Sequence, residues 1–350
     1  MNIDDIAKLA NVSKSAVSLA LNGKQGVSKQ TRDKILKIAE EHGYKRRSFS
    51  KEESTSRSNF LRFVACTNTG IVSEQYQSLS FFMALINNID NISASKGYSL
   101  IISSINSENL EKDIFKLENE QRSSGIILLG TNLTNQQIKI VERCQPNLVV
   151  LDTCSETENI DFIVMNNTLG ARQAGKHLIN LGHTKIGYVE SNSRIYNFEK
   201  RKEGFLNAIN ENGLTIGKEN FYKMFPTVVS SQEEFKQKIM KNKNNLPTAL
   251  FCECDYMAIS VIKSLTELNI KVPEDISVIG FDNIFETQVV SPELTTIHVR
   301  VNEIASVGVS RLIDKIEKND DTSMKIFIDT EVVERKSTIG VQSLQPVTTK

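Results

Sequence analysis

The chain has 350 residues, more than one ordinary domain holds, so two or three domains are expected. Its 39% hydrophobic and 24% charged residues exclude a chain disordered throughout, and no apolar run approaches the ~20 residues that span a bilayer. The net charge of zero hides an uneven division: residues 1–57 hold 12 Lys and Arg against 7 Asp and Glu, so a basic head precedes a slightly acidic body. That division suits a polyanionic partner for the head alone. The five cysteines, Cys66, Cys144, Cys154, Cys252 and Cys254, are odd in number and lie in apolar surroundings, which fits a reducing compartment. The opening MNIDDIAKLA places acids where a secretory signal carries bases, so a cytoplasmic location is expected.

Residues 4–43 read as three short helices. Asp4 or Asp5 caps the first, with Ile6, Leu9 and Ala10 at helical spacing. Asn11 tolerates a left-handed turn, and Ser13 caps a second helix whose inward positions are Ala16, Val17, Ala20 and Leu21. Ser28 caps the third, with Ile35, Ile38 and Ala39 on one stripe and Gly43 as its stop. A helix-turn-helix over LANVSKSAVSLALNG would present Lys14, Ser15, Ser18, Leu19 and Asn22 outward. Residues 45–58, KRRSFSKEESTSRS, have the composition of a charged, serine-rich linker.

From residue 60 apolar strand-like runs alternate with helical patterns. The runs are LRFVACT (61–67), YSLIISS (98–104), GIILLG (125–130), NLVVLD (147–152), FIVMNN (162–167), KIGYVES (185–191), TALFCEC (248–254) and ISVIGFD (276–282). Helical patterns of 10–15 residues between strands mean βαβ units, an α/β class with parallel sheets. There are too many strands for one comfortable sheet, so two α/β lobes are expected.

Ligands of open parallel sheets bind beyond the carboxyl ends of strands. Thr67, Asp152, Asn166, Asn167, Asp255 and Asp282 all stand there. Converging aspartates would accept hydrogen bonds from the hydroxyls of a sugar or similar polyol. Each aspartate alone reads first as a helix cap or a solvated loop, and their recurrence at the same topological place is what points to a site. Among aromatic candidates, Tyr196, Phe198 and Phe281 are near, as stacking partners or as core. No GxSxG, HExxH, GxxxxGK[ST] or GxGxxG motif occurs, and no catalytic residue or cofactor is assigned. Cys252-Glu253-Cys254 alternates within a strand, which reads as small core thiols rather than a metal site.

Several segments carry a resemblance. IDDIAKLANVSKSAVSLALNGKQGVSKQTRDKILKIAEEHGY is similar to the DNA-binding head of the lactose-repressor (LacI/GalR) family of transcription regulators. In the body, NNTLGARQAGKHLINLGHTKIGYV (166–189), RKEGF (201–205), VPEDISVIGFDN (272–283), PELTTI (292–297) and ERKST (334–338) follow the family's order. The resemblance implies a helix-turn-helix head (1–44), a hinge (45–59), a two-lobed core like a type I periplasmic binding protein (60–340) and a tail (341–350). The first lobe would take about 60–160 and 290–322, the second 161–289 and 323–340. It further implies a homodimer on double-stranded operator DNA, a repressor whose affinity changes when a sugar-like effector enters between the lobes. An activator or a co-repressor-dependent regulator, and a sugar sensor that does not bind DNA, stay open as alternatives.

By the family pattern Lys14, Ser15 and Leu19 face bases, Ser13 and Ser18 face phosphates, and Asn22 and Lys24 complete the contact surface. Leu19 stands where relatives often have arginine, so a preference for A·T is expected there. Arg201, Asp152, Asp255 and Asp282 are expected at the effector, with Thr67 and Tyr196 beside them. The hinge departs from the pattern. Its minor-groove wedge position falls near Glu53, a carboxylate among phosphates, so either Phe49 substitutes or the segment is a basic tether that bends DNA little. The tail lacks a leucine heptad, so no tetramer-forming coil is expected.

Overall fold

The computed structural model describes residues 3–21, 26–41, 59–68 and 70–341. It divides into two compact units, 1–57 and 58–350. The expected Asn22, Lys24, Phe49 and Glu53 contacts lie outside the described residues.

The head contains α1 (Ile3–Ala10), α2 (Lys14–Leu21) and α3 (Lys29–Glu41). Asn11 makes the turn between the first two with φ 56°, a left-handed conformation that asparagine tolerates. The Ser13 hydroxyl accepts the Ala16 amide at 3.2 Å, and the Ser28 hydroxyl accepts the Thr31 amide at 3.2 Å. Each satisfies an amide that the first turn of a helix leaves without a partner. Ile6, Ala10, Val17, Ala20, Ile35 and Ala39 form a small core of the head's own. The α2 face reads as expected except that Ala16 and Leu21 are only half-buried.

The core runs β1 (Phe60–Thr67), α4 (Ser80–Ser95), β2 (Ser99–Asn106), α5 (Leu110–Glu120), β3 (Gly125–Leu129), α6 (Asn135–Cys144), β4 (Leu148–Leu151) and β5 (Asp161–Met165). It continues with α7 (Asn167–Asn180), β6 (Ile186–Ser191), α8 (Tyr196–Glu211), β7 (Phe221–Met224), α9 (Glu233–Lys241), β8 (Ala249–Cys252), α10 (Asp255–Glu267) and β9 (Ser277–Asp282). Then come β10 (Thr295–His298), α11 (Val301–Lys318), β11 (Lys325–Ile328) and β12 (Glu331–Val333).

Among the described residues these strands make two six-stranded sheets, ordered β11-β5-β4-β3-β1-β2 and β12-β10-β9-β8-β6-β7. Every pairing is parallel except β10 with β12. The central strands β3, β4, β8 and β9 are buried at every residue, because helices cover both faces of each sheet.

The lobe boundaries fall later than the sequence reading placed them. β5 pairs with β4 in the first sheet, so the first crossing follows residue 165 rather than 160. β10 pairs with β9 in the second sheet, moving the return past residue 298. β11 pairs with β5, moving the last crossing past residue 328. In each case the chain completes a strand before it crosses. After the second crossing α11 is fixed to the first lobe through Arg311, whose Nε donates to buried Asp161 of β5 at 3.0 Å.

Close packing of α7 on α8 explains one glycine of the RKEGF segment. A Cβ at Gly204 would stand 2.1 Å from the Thr168 carbonyl oxygen, so only glycine lets the two backbones approach. That approach sets the position of Arg201, one turn earlier on α8.

Candidate functional site

The strand ends of both lobes meet at a cavity of about 50 Å³. Its polar floor is Asp152, Thr131, Asn197, Arg201 and Asp282, and its walls include Phe81, Phe198, Tyr256, Ile71, Leu79 and Ile195.

Asp152 follows β4 in the left-handed region, φ 64°, and Asp282 ends β9 at φ 120°. Strained conformations of this kind persist where the surroundings hold a side chain to a task. Asp152 accepts the Thr131 hydroxyl from its own lobe and the Asn197 amide, at 2.8 Å, from the other. Burial pushes its pKa up to about 6, with the Thr131 hydrogen bond, Arg201 and Asn197 opposing. Burial likewise raises Asp282, against the pull of Arg201, while Asp255 and Asp152 push it further up.

Arg201 is 3% exposed and all three of its nitrogens have protein acceptors. Nε donates to Asn167 Oδ1 at 2.9 Å, Nη1 to the Glu253 carbonyl at 2.6 Å, and Nη2 to Asp282 Oδ1 at 3.0 Å. Its guanidinium carbon lies 3.7 Å from the centroid of the Phe281 ring. Asn167 Nδ2 in turn donates to Asn197 Oδ1 at 2.9 Å. One unbroken chain of hydrogen bonds therefore links Asp282, Arg201, Asn167, Asn197, Asp152 and Thr131. It runs from a strand end of the second lobe to a strand end of the first.

Two further contacts join the lobes near the cavity. The Phe81 amide donates to the Tyr256 hydroxyl at 3.2 Å, and the Ser80 hydroxyl donates to the Glu286 carboxylate at 2.5 Å. Phe81 and Tyr256 both line the cavity, so a molecule larger than the present space must part them or displace their side chains.

Three sequence candidates do not reach this cavity. Asp255 is wholly buried beneath it. Its carboxylate accepts the Thr296 hydroxyl at 2.5 Å and the Ile284 amide at 3.0 Å, tying α10 to β10 and the turn after β9. Tyr196 opens α8 and is half-buried, outside the residues that line the cavity. Thr67 turns its hydroxyl to the Ile105 carbonyl, 3.4 Å away on β2. Asp152, Arg201 and Asp282 are the candidates that converge.

Cys254 lines the cavity and donates to the Pro226 carbonyl at 3.4 Å, and burial raises its thiol. Cys252 is core. Glu253 between them points away and is saturated by the Tyr188 hydroxyl, the Ser191 amide and Arg194. Among the described residues no cluster of His, Cys, Asp and Glu is placed to hold a metal.

On the head, Ser13, Lys14 and Ser15 are exposed, whereas Ser18 and Leu19 are half-buried. The Ser13 hydroxyl also pairs with that of Ser15 at 2.8 Å. The outward end of α2 thus carries short hydroxyls and one lysine.

Two family models match the chain. One, described as bacterial regulatory proteins, lacI family, covers residues 2–47, and the other, a periplasmic binding protein-like domain, covers residues 176–338. A transcriptional repressor named PurR from Aliivibrio salmonicida is 30% identical over 96% of this chain and 98% of its own length. A probable repressor named ExuR from Bacillus subtilis is 31% identical over 96% of this chain and 98% of its own. This chain belongs to the lacI family of bacterial transcription regulators. Solved structures of the family share its fold. A CelR–cellobiose complex superposes with TM-score 0.70 at 18% identity, covering 96% of this chain and 99% of that one. A lac repressor dimer bound to operator and the anti-inducer ONPF gives 0.69 at 24%, covering 97% and 99%.

Within the family frame, Thr131, Asn197, Phe81 and Tyr256 are cavity residues that sequence reading did not assign. Asn197 stands four residues before Arg201, on the same face of α8, and that spacing was a usable signal. Thr131 follows GIILLG at the same topological place as the aspartates. Phe81 and Tyr256 lie on helices and carry no such mark.

Proposed function

We propose that this family member is a repressor whose operator affinity is set by a small molecule held between the lobes of its core. The observation that carries the reading is that both lobes build one cavity, with Asn197 of the second hydrogen-bonded to Asp152 of the first. A molecule that touches this floor has different contacts in the open and closed lobes, which is what a ligand needs to shift a two-state equilibrium. The head supplies the other site, with Ser13, Lys14, Ser15, Ser18 and Leu19 toward DNA. The chain acts as a cytoplasmic homodimer on a roughly palindromic site and catalyses no reaction. Among the described residues no helix is long and apolar enough to cross a membrane.

Selection of duplexes from a random library by the full-length protein tests the reading. The expected result is enrichment of one two-fold motif, whose affinity a small molecule then changes. Retention of duplexes without sequence preference overturns it.

A further inference from the structure

Helix α4 belongs to the first lobe, yet its start is completed by the second. The first amides of a helix have no partner within it. Thr134 meets this need for α6 and Asn166 for α7, each from the position just before the helix. The residue before α4 is Leu79, which makes no side-chain cap. Instead the Phe81 amide donates to the Tyr256 hydroxyl on α10, at 3.2 Å. One residue earlier the Ser80 hydroxyl donates to Glu286 Oε1, at 2.5 Å, in the turn that follows β9. A carboxylate at the start of a helix also faces the positive end of its dipole.

This cap is strong on one side and incomplete on the other. The bond from Ser80 ends on a carboxylate, and such charge-assisted bonds are the stronger kind. Glu286 Oε2, however, is buried and without a hydrogen-bond partner among the described residues. Parting the lobes would return that oxygen to water and take both partners from α4. Gain and loss oppose each other, as an element with two accessible states requires. Phe81 and Tyr256 line the cavity, whereas Ser80 and Glu286 do not. The Ser80–Glu286 pair can therefore weight the two states without touching a molecule held there.

Building on the reading of the core as a two-state device, we propose that Glu286 and Tyr256 cap α4 from the opposite lobe, and that this shared cap is a latch. It sets the resting balance of closed and open lobes from outside the cavity. Ser80 and Glu286 act in it as positioning residues.

Hydrogen exchange followed by mass spectrometry on the full-length protein, without DNA or small molecule, tests the proposal. Exchange of this kind reports how often a segment opens. Wild type is compared with Ser80→Ala, Glu286→Ala and the double variant. Each single change is expected to speed exchange about tenfold at the start of α4, residues 80–84, the factor for one charge-assisted hydrogen bond at the low end of its usual worth. The start of α8, residues 196–198, borders the same cavity but makes neither hydrogen bond, and it is expected to speed by a similar factor because the lobes part there too. The double variant is expected to go no further than either single one, since both remove the same contact. Faster exchange at α4 alone overturns the latch, because Glu286 would then cap a helix without holding the lobes. Unchanged exchange at both helices overturns it as well. A double variant whose effect is the product of the two single effects overturns the pairing of Ser80 with Glu286. None of these outcomes bears on operator selection, which tests the regulator reading by itself.

Discussion

Asn197 donates through one side-chain amide group to both the carboxylate of Asp152, at 2.8 Å, and its main-chain carbonyl, at 3.1 Å. The two residues belong to different lobes, and both are more than nine-tenths buried. Buried networks of this kind are worth most when every member is satisfied. Asn197→Ala takes the donor from Asp152 and the acceptor from Asn167 at once. It is expected to cost about 1–3 kcal/mol, the range for leaving buried polar groups unpaired, and to weaken the response of operator affinity to effector. Thr131→Val is the comparison, since Thr131 bonds Asp152 from within the same lobe. It should cost stability of similar size while leaving the response in place. Denaturant midpoints and operator titrations on both variants check this, and equal loss of response in the two removes the lobe-to-lobe role of Asn197.

The raised pKa of Asp152 gives stability a definite dependence on pH. Its folded value is pushed up to about 6 by burial, above the ~3.9 of an unfolded aspartate. The folded state therefore holds this proton more tightly than the unfolded state does. That contribution is fully present below about pH 4 and is lost as pH rises through about 6. Over some two pH units this is on the order of 3 kcal/mol. Asp152→Asn mimics the protonated form. The difference in unfolding free energy between variant and wild type is expected to shift in favour of the variant between about pH 4 and 6 and to level off above. A difference that stays flat across that window contradicts the assignment.

The strands most visible in the sequence are those buried on both faces, such as GIILL and SVIGFD, because continuous apolar runs need no alternation to be recognised. The unread β11 (KIFI) and β12 (EVV) are short edge strands, partly exposed, and carry little signal. Helix α11 escaped for a different reason. Its buried stripe, Ile304, Ala305, Gly308, Val309, Leu312 and Ile316, includes two very small residues that blur the apolar face. At the site, the rule that ligands gather beyond strand ends found Asp152 and Asp282 but also drew in Asp255. The rule does not distinguish a side chain that faces the cleft from one turned beneath it. Here Gly280 makes the difference, since a Cβ there would stand 2.2 Å from Asp255 Oδ1. That missing side chain leaves the pocket in which Asp255 is buried.

Gly204 offers a test of how closely α7 and α8 must pack to place Arg201. Gly204→Ala would set its new methyl group 2.1 Å from the Thr168 carbonyl oxygen, which belongs to backbone and cannot rotate away. The helices must separate, and overpacking of this kind costs about 1–3 kcal/mol or more. The variant is expected to lower Tm and to weaken effector binding, because the Arg201 contact with Asp282 at 3.0 Å is set by the same helix. A variant with unchanged Tm and unchanged affinity would mean that the approach of the two helices is not needed.

Leu19 carries the prediction for the head. It is half-buried on α2, and its Cδ1 would lie 3.0 Å from a Cβ on Gly26, so one side rests against the turn before α3. Its remaining surface can pack on a thymine methyl, while neighbouring Lys14 can donate to guanine O6 or N7. Leu19→Arg replaces an apolar contact with a bidentate donor. At one position of each half-site, preference is expected to move from A·T toward G·C by about 1–3 kcal/mol, the range for a good base-specific pair. Lys14→Ala should instead lower affinity and relax discrimination at a different position. Motif selection with wild type and both variants reads these outcomes directly. If Leu19→Arg selects the wild-type motif unchanged, the side chain belongs to the packing of the head and not to its reading surface.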